Sequence, residues 1–362
     1  MGFQVEVLPS GKVFTVDEGE TILQAALRSS VSLPYGCKSG TCGTCKSQVR
    51  QGQWRQGAHA AAALSEQEEA QGKVLVCCAT PLSDLTLEAR VLSGFGDVPV
   101  RKMPARIAKI ERVSEDVAVV SLQLPAAERL QFRAGQYVEF ILRDGTRRSY
   151  SMATAPHADE QIQLHIRHLP GGRFTDMLFG ATQPAIKERD LVRIEGPQGT
   201  FFLREDDDRP IVLLASGTGF APVKAIAEHI FHQGINRETP GRAARAVRLY
   251  WGGRRPKDLY WDALPRQWAQ TQPLFIYIPV LSEPKPEDHW EGRRGFVHEA
   301  VMSDLPDLSG YQVYACGAPA MVQAAQRDFV DRCALSPEAF FSDAFTSEAD
   351  KAQTIASHTH GQ

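Results

Sequence analysis

Cys37, Cys42 and Cys45 share one short loop, and Cys77 follows at a distance, giving Cys37-x4-Cys42-x2-Cys45…Cys77. This is the plant-type [2Fe-2S] spacing. Thiolates are soft ligands suited to iron–sulfur clusters, and three of them on a tight loop can wrap a small one. Gly36, Gly40 and Gly43 interleave with them, so the backbone can pass close to inorganic sulfur and turn N–H groups toward it. Two other readings fit worse. Buried free cysteines would not keep this spacing, and a four-cysteine zinc site normally brings two CxxC knuckles where this loop has one. Neighbouring residues on an extended segment point opposite ways, so only one of Cys77 and Cys78 can face the cluster. The adjacency of Cys77 and Cys78 in VLVCCATP leaves that choice open at this point. The seven cysteines are an odd number, which argues against a disulfide framework.

Around this loop the chain reads as a small α+β domain. Residues 3–8 and 12–16 are two strands about Pro9-Ser10-Gly11. Thr21 with Gln24, and Ser65 with Glu68, are capping boxes that open helices, the second ended by Gly72. Residues 74–76 and 85–90 are further strands, and SGFGDVPVRKMP over 93–104 is a linker. Short alternating strands then recur at 106–112, 118–124, 137–142, 161–166 and 190–195, as in an antiparallel barrel. From Pro210 the pattern changes to continuous apolar runs, at 210–215, 246–251, 274–280 and 311–315, separated by helical segments. Such runs are parallel strands buried on both faces, in a doubly wound α/β domain. The expected domains are 1–94, 101–205 and 206–345, with a polar tail over 346–362.

Two further motifs carry chemistry. Arg147–Ala153 holds R-x-Y-S-x-A: Arg148 suits a pyrophosphate, the Tyr150 ring can lie on a flat isoalloxazine, and Ser151 can bond near flavin N5. His165-Ile166-Arg167 and Gly171-Gly172-Arg173-Phe174-Thr175 follow, the glycines suited to cradle phosphate at a helix start and Thr175 adding a hydroxyl. His165 alone reads as a satisfied barrel residue. In the third domain, Gly217-Thr218-Gly219-Phe220-Ala221-Pro222 joins a buried strand to a helix. Its glycines let a pyrophosphate reach the positive end of the helix dipole, and Pro222 fits a first helical turn. It is not G-x-G-x-x-G. Tyr314-Ala315-Cys316-Gly317 closes another buried strand, and both turns can line one crevice. Cys333 reads as a small buried hydrophobe.

On RSYSMA, HIRHLPGGRFT, GTGFAP and YWGGR-x5-Y, together with the cysteine loop, the chain resembles the ferredoxin–NADP reductase superfamily with an N-terminal plant-type ferredoxin. Reductase components of bacterial aromatic-ring oxygenases, terephthalate-type above all, and CDP-6-deoxy-glucoseen reductase look like this. The resemblance implies a β-grasp ferredoxin, an antiparallel FAD barrel and a doubly wound NAD(P) domain. It implies that Cys37, Cys42, Cys45 and Cys77 hold the cluster, and that Arg148, Tyr150, Ser151, Ile166, Arg167, Gly172 and Thr175 hold FAD. Gly217, Thr218, Gly219 and Pro222 would line the NAD(P) pyrophosphate, with Cys316 and Gly317 near the nicotinamide. Ser151 and Cys316 are then the candidate catalytic positions. Phe345 matches a C-terminal aromatic that lies near the flavin, although many relatives stop there and this chain runs on to Gln362.

The implied activity is NAD(P)H-dependent electron transfer, two electrons entering as hydride and leaving singly through the cluster to a terminal oxygenase, foremost of the Rieske ring-hydroxylating class. Diiron monooxygenases, cytochromes P450 and deoxysugar dehydrases are alternative acceptors, and a non-catalytic electron carrier is the rival from another class. Arg254 and Arg255 could meet a 2′-phosphate, but G-x-R also looks like NADH-using relatives, so NADH is expected ahead of NADPH. A net charge of −3 gives no reason to expect nucleic acid. No apolar run approaches a membrane span and the N-terminus has no signal-peptide pattern, so a cytoplasmic monomer is expected. Lys38, Lys46, Glu66, Glu68 and Glu69 read as solvated surface charge.

Overall fold

The computed structural model describes residues 2–92, 98–126, 129–158 and 160–346. The expected tail lies outside them from 347 onward, as do residues 93–97 of the expected linker. The described residues form two compact units, one of residues 2–92, 98–99 and 343–346 and the other of the described residues between 100 and 342.

In the first unit, Phe3–Leu8 pairs antiparallel with Lys12–Val16 and parallel with Leu85–Glu88. Lys46–Gln51 and Lys73–Leu75 complete a five-stranded sheet. The alternation that predicts the hairpin also buries it: Val5, Val7, Phe14 and Val16 face inward. Each such side chain contributes roughly 1.5–3 kcal/mol by leaving water. Helix Ile22–Arg28 lays Ile22, Leu23, Ala25 and Ala26 on that face, and both capping boxes form as the sequence predicts. A two-stranded pair, Trp54–Gln56 with Ala79–Pro81, stands beside the sheet.

The second unit holds two sheets. The first runs Arg147–Ser151, Tyr137–Ile141, Leu191–Gln198, Arg101–Arg112, Val117–Gln123, Ile162–Arg167, with its adjacent strands antiparallel. Its two edges touch: Met152 bridges Leu164, and the Ala153 N–H donates to the Gln163 carbonyl at 2.8 Å. Arg101–Pro104, expected as linker, instead begins a strand. Met103, Ala105 and Ile107 already alternate inward there, and Pro104 sits on the exposed face. Ile107, Val120, Phe140, Leu164, Ile166 and Phe174 fill the interior.

The other sheet has the order Arg293–Arg294, Phe275–Leu281, Val247–Gly253, Ile211–Ser216, Gln312–Gly317, Phe340–Ala344. The four central strands are parallel. Ile211–Ser216 therefore has its sequence successor on one side and a later strand on the other. That reversal makes the carboxyl ends of Ile211–Ser216 and Gln312–Gly317 the switch point where such sheets bind ligands. Arg245 is buried and donates to the carbonyls of Arg204 and Arg209 and to Gln312 Oε1. No helix among the described residues is long and apolar enough to cross a membrane.

Candidate redox centre and nucleotide crevice

The cysteine loop has almost no regular structure, and its shape comes from glycine. Gly40 has φ +72°, and a Cβ there would lie 2.7 Å from the Ala58 carbonyl oxygen, so no larger residue fits without a shift. The segment of the fourth cysteine is held separately. Leu23 N–H donates to Val76 O at 2.8 Å, Leu75 N–H to Gln56 Oε1 at 3.1 Å, and Val76 N–H to Cys45 O at 3.4 Å.

These ties bring Cys37, Cys42, Cys45 and Cys77 together as two pairs. Cys37 is hydrogen-bonded with Cys42, and Cys45 with Cys77. Among the described residues no three such side chains converge on a point a single ion could occupy. Two thiols for each of two irons is what a [2Fe-2S] cluster needs, and four on one ion is what zinc needs. In each pair the shared bond sets one thiol low. The bond from Cys42 holds Cys37 at about 5, and the bond from Cys45 holds Cys77 at about 4. The same bonds push Cys42 and Cys45 up. Backbone N–H groups already aim at sulfur, Cys37 N–H at Cys42 Sγ (3.5 Å) and Ser39 N–H at Cys37 Sγ (3.4 Å). Cys78 lies beside the second pair, hydrogen-bonded with Cys77, and Gln56 Nε2 also donates to its sulfur at 3.1 Å.

Lys46, beside Cys45, is not a solvated surface charge as expected. It bonds both Glu68 carboxylate oxygens at 2.8 and 2.9 Å, and Lys73 joins at 3.0 Å. Burial pushes the Glu68 carboxyl up, but the bonds from Lys46, the Ser65 backbone and Lys73 outweigh it and hold it at about 2.

In the second unit, Arg148, Tyr150 and Ser151 lie on the edge strand Arg147–Ser151, and Ile166 and Arg167 on the opposite edge strand, Ile162–Arg167. The touching edges bring these halves together, with residues 152–161 between the two strands. Ser151 is buried, and the Tyr150 ring, half-buried, packs 5.3 Å from Phe174. Gly172 caps helix Arg173–Phe179, with no side chain taking the first N–H groups. The Thr175 hydroxyl donates to Leu169 O at 2.9 Å, so its bonds shape the glycine loop. Ile166 faces the interior.

Arg167 points the other way. A Cβ at Gly217 would lie 2.9 Å from Arg167 Nη1, so the guanidinium rests against the GTG turn. Asp116 is 3.1 Å from its Nε, yet Nε and Nη2 have no hydrogen-bond partner among the described residues. His165 also faces this side. Its Nδ1 pairs with the Tyr260 hydroxyl at 2.8 Å, while its buried Nε2 has no partner among the described residues, so the expectation of a satisfied barrel histidine holds for one nitrogen only. Burial, then the nearby Lys224 charge, pushes its pKa well down, leaving a neutral ring. Tyr260 ends YWGGR-x5-Y, and that position was the only signal of its role.

The turn Gly217–Gly219 leads into helix Phe220–His232, with Thr218 and Pro222 buried. A Cβ at Gly219 would lie 2.1 Å from the Cys316 carbonyl oxygen, so the turns after Ile211–Ser216 and Gln312–Gly317 touch backbone to backbone. Trp251 Nε1 donates to Gly217 O at 3.0 Å, and Ser216 Oγ accepts from Ala318 N–H at 2.9 Å. Cys316 is buried beside Gly317, and Cys333 is buried as expected. Phe345, half-buried, belongs to the first unit.

Three domain families match in chain order: a 2Fe-2S iron–sulfur cluster binding domain over 5–82, an oxidoreductase FAD-binding domain over 104–203 and an oxidoreductase NAD-binding domain over 213–327. The CDP-6-deoxy-L-threo-D-glycero-4-hexulose-3-dehydrase reductase of Yersinia pseudotuberculosis is 41% identical over 95% of this chain and 99% of its own. Terephthalate 1,2-dioxygenase reductase component 2 of Comamonas is 32% identical over 96% and 98%, which reverses the order that the motifs suggested. The crystal structure of Amycolatopsis cytochrome P450 reductase GcoB has a TM-score of 0.72 at 36% identity, covering 95% of this chain and 99% of that one.

Proposed function

The chain belongs to the NAD(P)H-dependent iron–sulfur flavoprotein reductases, whose members deliver electrons to oxygenase or dehydrase components, and from that premise we propose that its own acceptor is a terminal oxygenase, of the Rieske ring-hydroxylating class. When bound, FAD accepts a hydride from NAD(P)H and gives up its electrons one at a time to the [2Fe-2S] cluster. The chain's own residues hold and align these groups. Cys37, Cys42, Cys45 and Cys77 bind the cluster. Arg148 pairs with the FAD pyrophosphate, Tyr150 lies along the ring system, Ser151 donates near N5, and Ile166, Arg167, Gly172 and Thr175 complete the site. Gly217, Thr218, Gly219 and Pro222 carry the nicotinamide-dinucleotide pyrophosphate, and Cys316 and Gly317 flank the nicotinamide. The protein acts as a monomer in the cytoplasm.

One observation carries this route: Arg167 comes from the candidate flavin strand, and its guanidinium rests on the candidate nucleotide turn at Gly217. The oxygenase assignment draws on the full-length likeness to the terephthalate dioxygenase and aromatic O-demethylase reductases. A second reading, electron delivery to a CDP-deoxyhexulose dehydrase, draws on the 41% identity. Purified oxygenase and dehydrase components, each mixed with the reductase and NADH, separate them. Substrate-dependent NADH consumption at least tenfold faster with the oxygenase is expected, and the reverse ranking selects the dehydrase.

A further inference from the structure

In the second unit, helix Phe220–His232 carries a lysine where its pattern calls for an apolar residue. Lys224 is 6% exposed and stands among Val223, Ala225, Ile226 and Ala227, all buried. An apolar side chain of similar length would fill that place without desolvating an ammonium group, and buried lysines persist where they are paired. Lys224 Nζ has two partners. It donates to Glu228 Oε2 at 2.9 Å, one turn along the same helix, and to Ala153 O at 3.0 Å. A solvated lysine could reach Glu228 equally well. Burial is what brings the ammonium to Ala153, the last residue of the R-x-Y-S-x-A run and 71 residues earlier in the chain.

Ala153 lies at the seam where the two edges of the antiparallel sheet touch. Its N–H donates to Gln163 O at 2.8 Å, and Thr154 Oγ1 accepts from the Gln163 N–H at 2.7 Å. The lysine's helix opens at the Gly217–Gly219 turn. One side chain therefore links the end of the candidate flavin strand to the helix of the candidate nucleotide turn. The other edge of the seam has its own link. His165 Nδ1 pairs with the Tyr260 hydroxyl at 2.8 Å, the Tyr260 ring stands edge-on to Trp251 at 5.2 Å, and Trp251 Nε1 donates to Gly217 O at 3.0 Å. Both edges are thus fixed to the same turn by separate routes. Hydride transfer depends steeply on such placement, since a misplacement of about 1 Å can cost on the order of 100-fold in rate.

We propose that Lys224 and the His165–Tyr260 pair are positioning residues for hydride transfer, holding the two edges of the flavin seam on the nucleotide turn. The proposal rests on the reading above that FAD lies along Arg147–Ser151.

The test uses the full-length protein carrying its FAD and cluster. Rapid mixing over a range of NADH concentrations gives the limiting rate of flavin reduction and the NADH Kd separately. Lys224→Met keeps the volume, and Glu228, whose side chain is 27% exposed, stays solvated. It should lower the limiting rate about tenfold or more with the Kd within about twofold. Tyr260→Phe keeps the ring and loses the hydroxyl, and should lower the rate about threefold. Amide hydrogen exchange supplies a readout that does not depend on turnover. In Lys224→Met the seam over residues 153–165 should exchange about tenfold faster, while Ile211–Ser216 stays as slow as before. A natural limiting rate in Lys224→Met with FAD bound, a Kd weakened as much as the rate falls, or unchanged exchange at the seam overturns the proposal. If Lys224→Met does not fold, Tyr260→Phe decides by the same readouts, and natural values there overturn it. Full retention of FAD by a protein carrying both Arg148→Ala and Tyr150→Ala instead tells against the flavin site beneath the proposal.

Discussion

The cluster loop and the nucleotide crevice solve a similar problem with different material. In the loop, the proposed ligands are side-chain sulfurs, three of them placed by close spacing along the chain. In the crevice, the proposed contacts are backbone N–H groups at turns whose glycines leave no room for a Cβ atom. The first kind of site announces its ligands in the sequence. The second announces only where the backbone must be bare.

The sharpest break of this contrast is Cys77→Ala with Cys78 left beside it. Cluster absorbance should vanish and NADH-driven cytochrome c reduction should fall at least 100-fold, while ferricyanide reduction, fed from the flavin, persists. Cys78→Ser should keep the visible spectrum, because Cys77 is the partner of Cys45 and a serine hydroxyl can still take the Gln56 bond. A colourless Cys78→Ser protein would reverse the assignment of the fourth ligand.

Gly219→Ala tests the bare backbone. Its Cβ would press on the Cys316 carbonyl oxygen at 2.1 Å, and relief requires the two turns to part. A loss of about 1–3 kcal/mol in stability, the usual range for overpacking, is expected in chemical denaturation. Flavin reduction by NADH in rapid mixing should slow by more than the stability loss alone explains. Normal reduction rates would show that the turns need not touch.

Ser151→Ala should act more gently. Loss of one hydrogen bond near the reacting flavin atom is worth about 1 kcal/mol, or roughly fivefold in the rate of flavin reduction. Unchanged rapid-mixing kinetics with FAD still bound would remove Ser151 from the chemistry.

The smallest effect concerns Glu68. Its folded pKa, about 2, lies below its unfolded value, so its contribution to stability is full above the unfolded carboxylate range and fades as pH falls toward 2. The difference in melting temperature between the natural protein and Glu68→Gln should therefore be largest near neutrality and close up below about pH 4. A gap that widens in acid would mean the Lys46 and Lys73 bonds are not what holds the carboxylate.

The same contrast explains which parts of the fold were readable. Phe3–Leu8 and Lys12–Val16 alternate cleanly, and Ile211–Ser216 is continuously apolar, so their periods were visible. Lys46–Gln51 buries only Val49, and Trp54–Gln56 is three residues long, so neither offered a period to read. Arg101–Pro104 was hidden by its proline, which disguised an alternation that began at Met103, three residues before the expected strand start at Arg106. The cysteines, the glycine turns and the R-x-Y-S run were all legible as chemistry. The His165–Tyr260 contact was not, because the two lie 95 residues apart and only the fold joins them.

The touching edges at Met152 and Leu164 have one more consequence. The proposed flavin contacts come half from each side of that seam, Ser151 from one strand and Ile166 with Arg167 from the other. A sheet can loosen at such a junction while its interior strands stay paired. Warming should then bleach the protein of its yellow colour before circular dichroism registers any loss of strand, and a substitution that tightens the junction should be recognised first by how long the colour lasts.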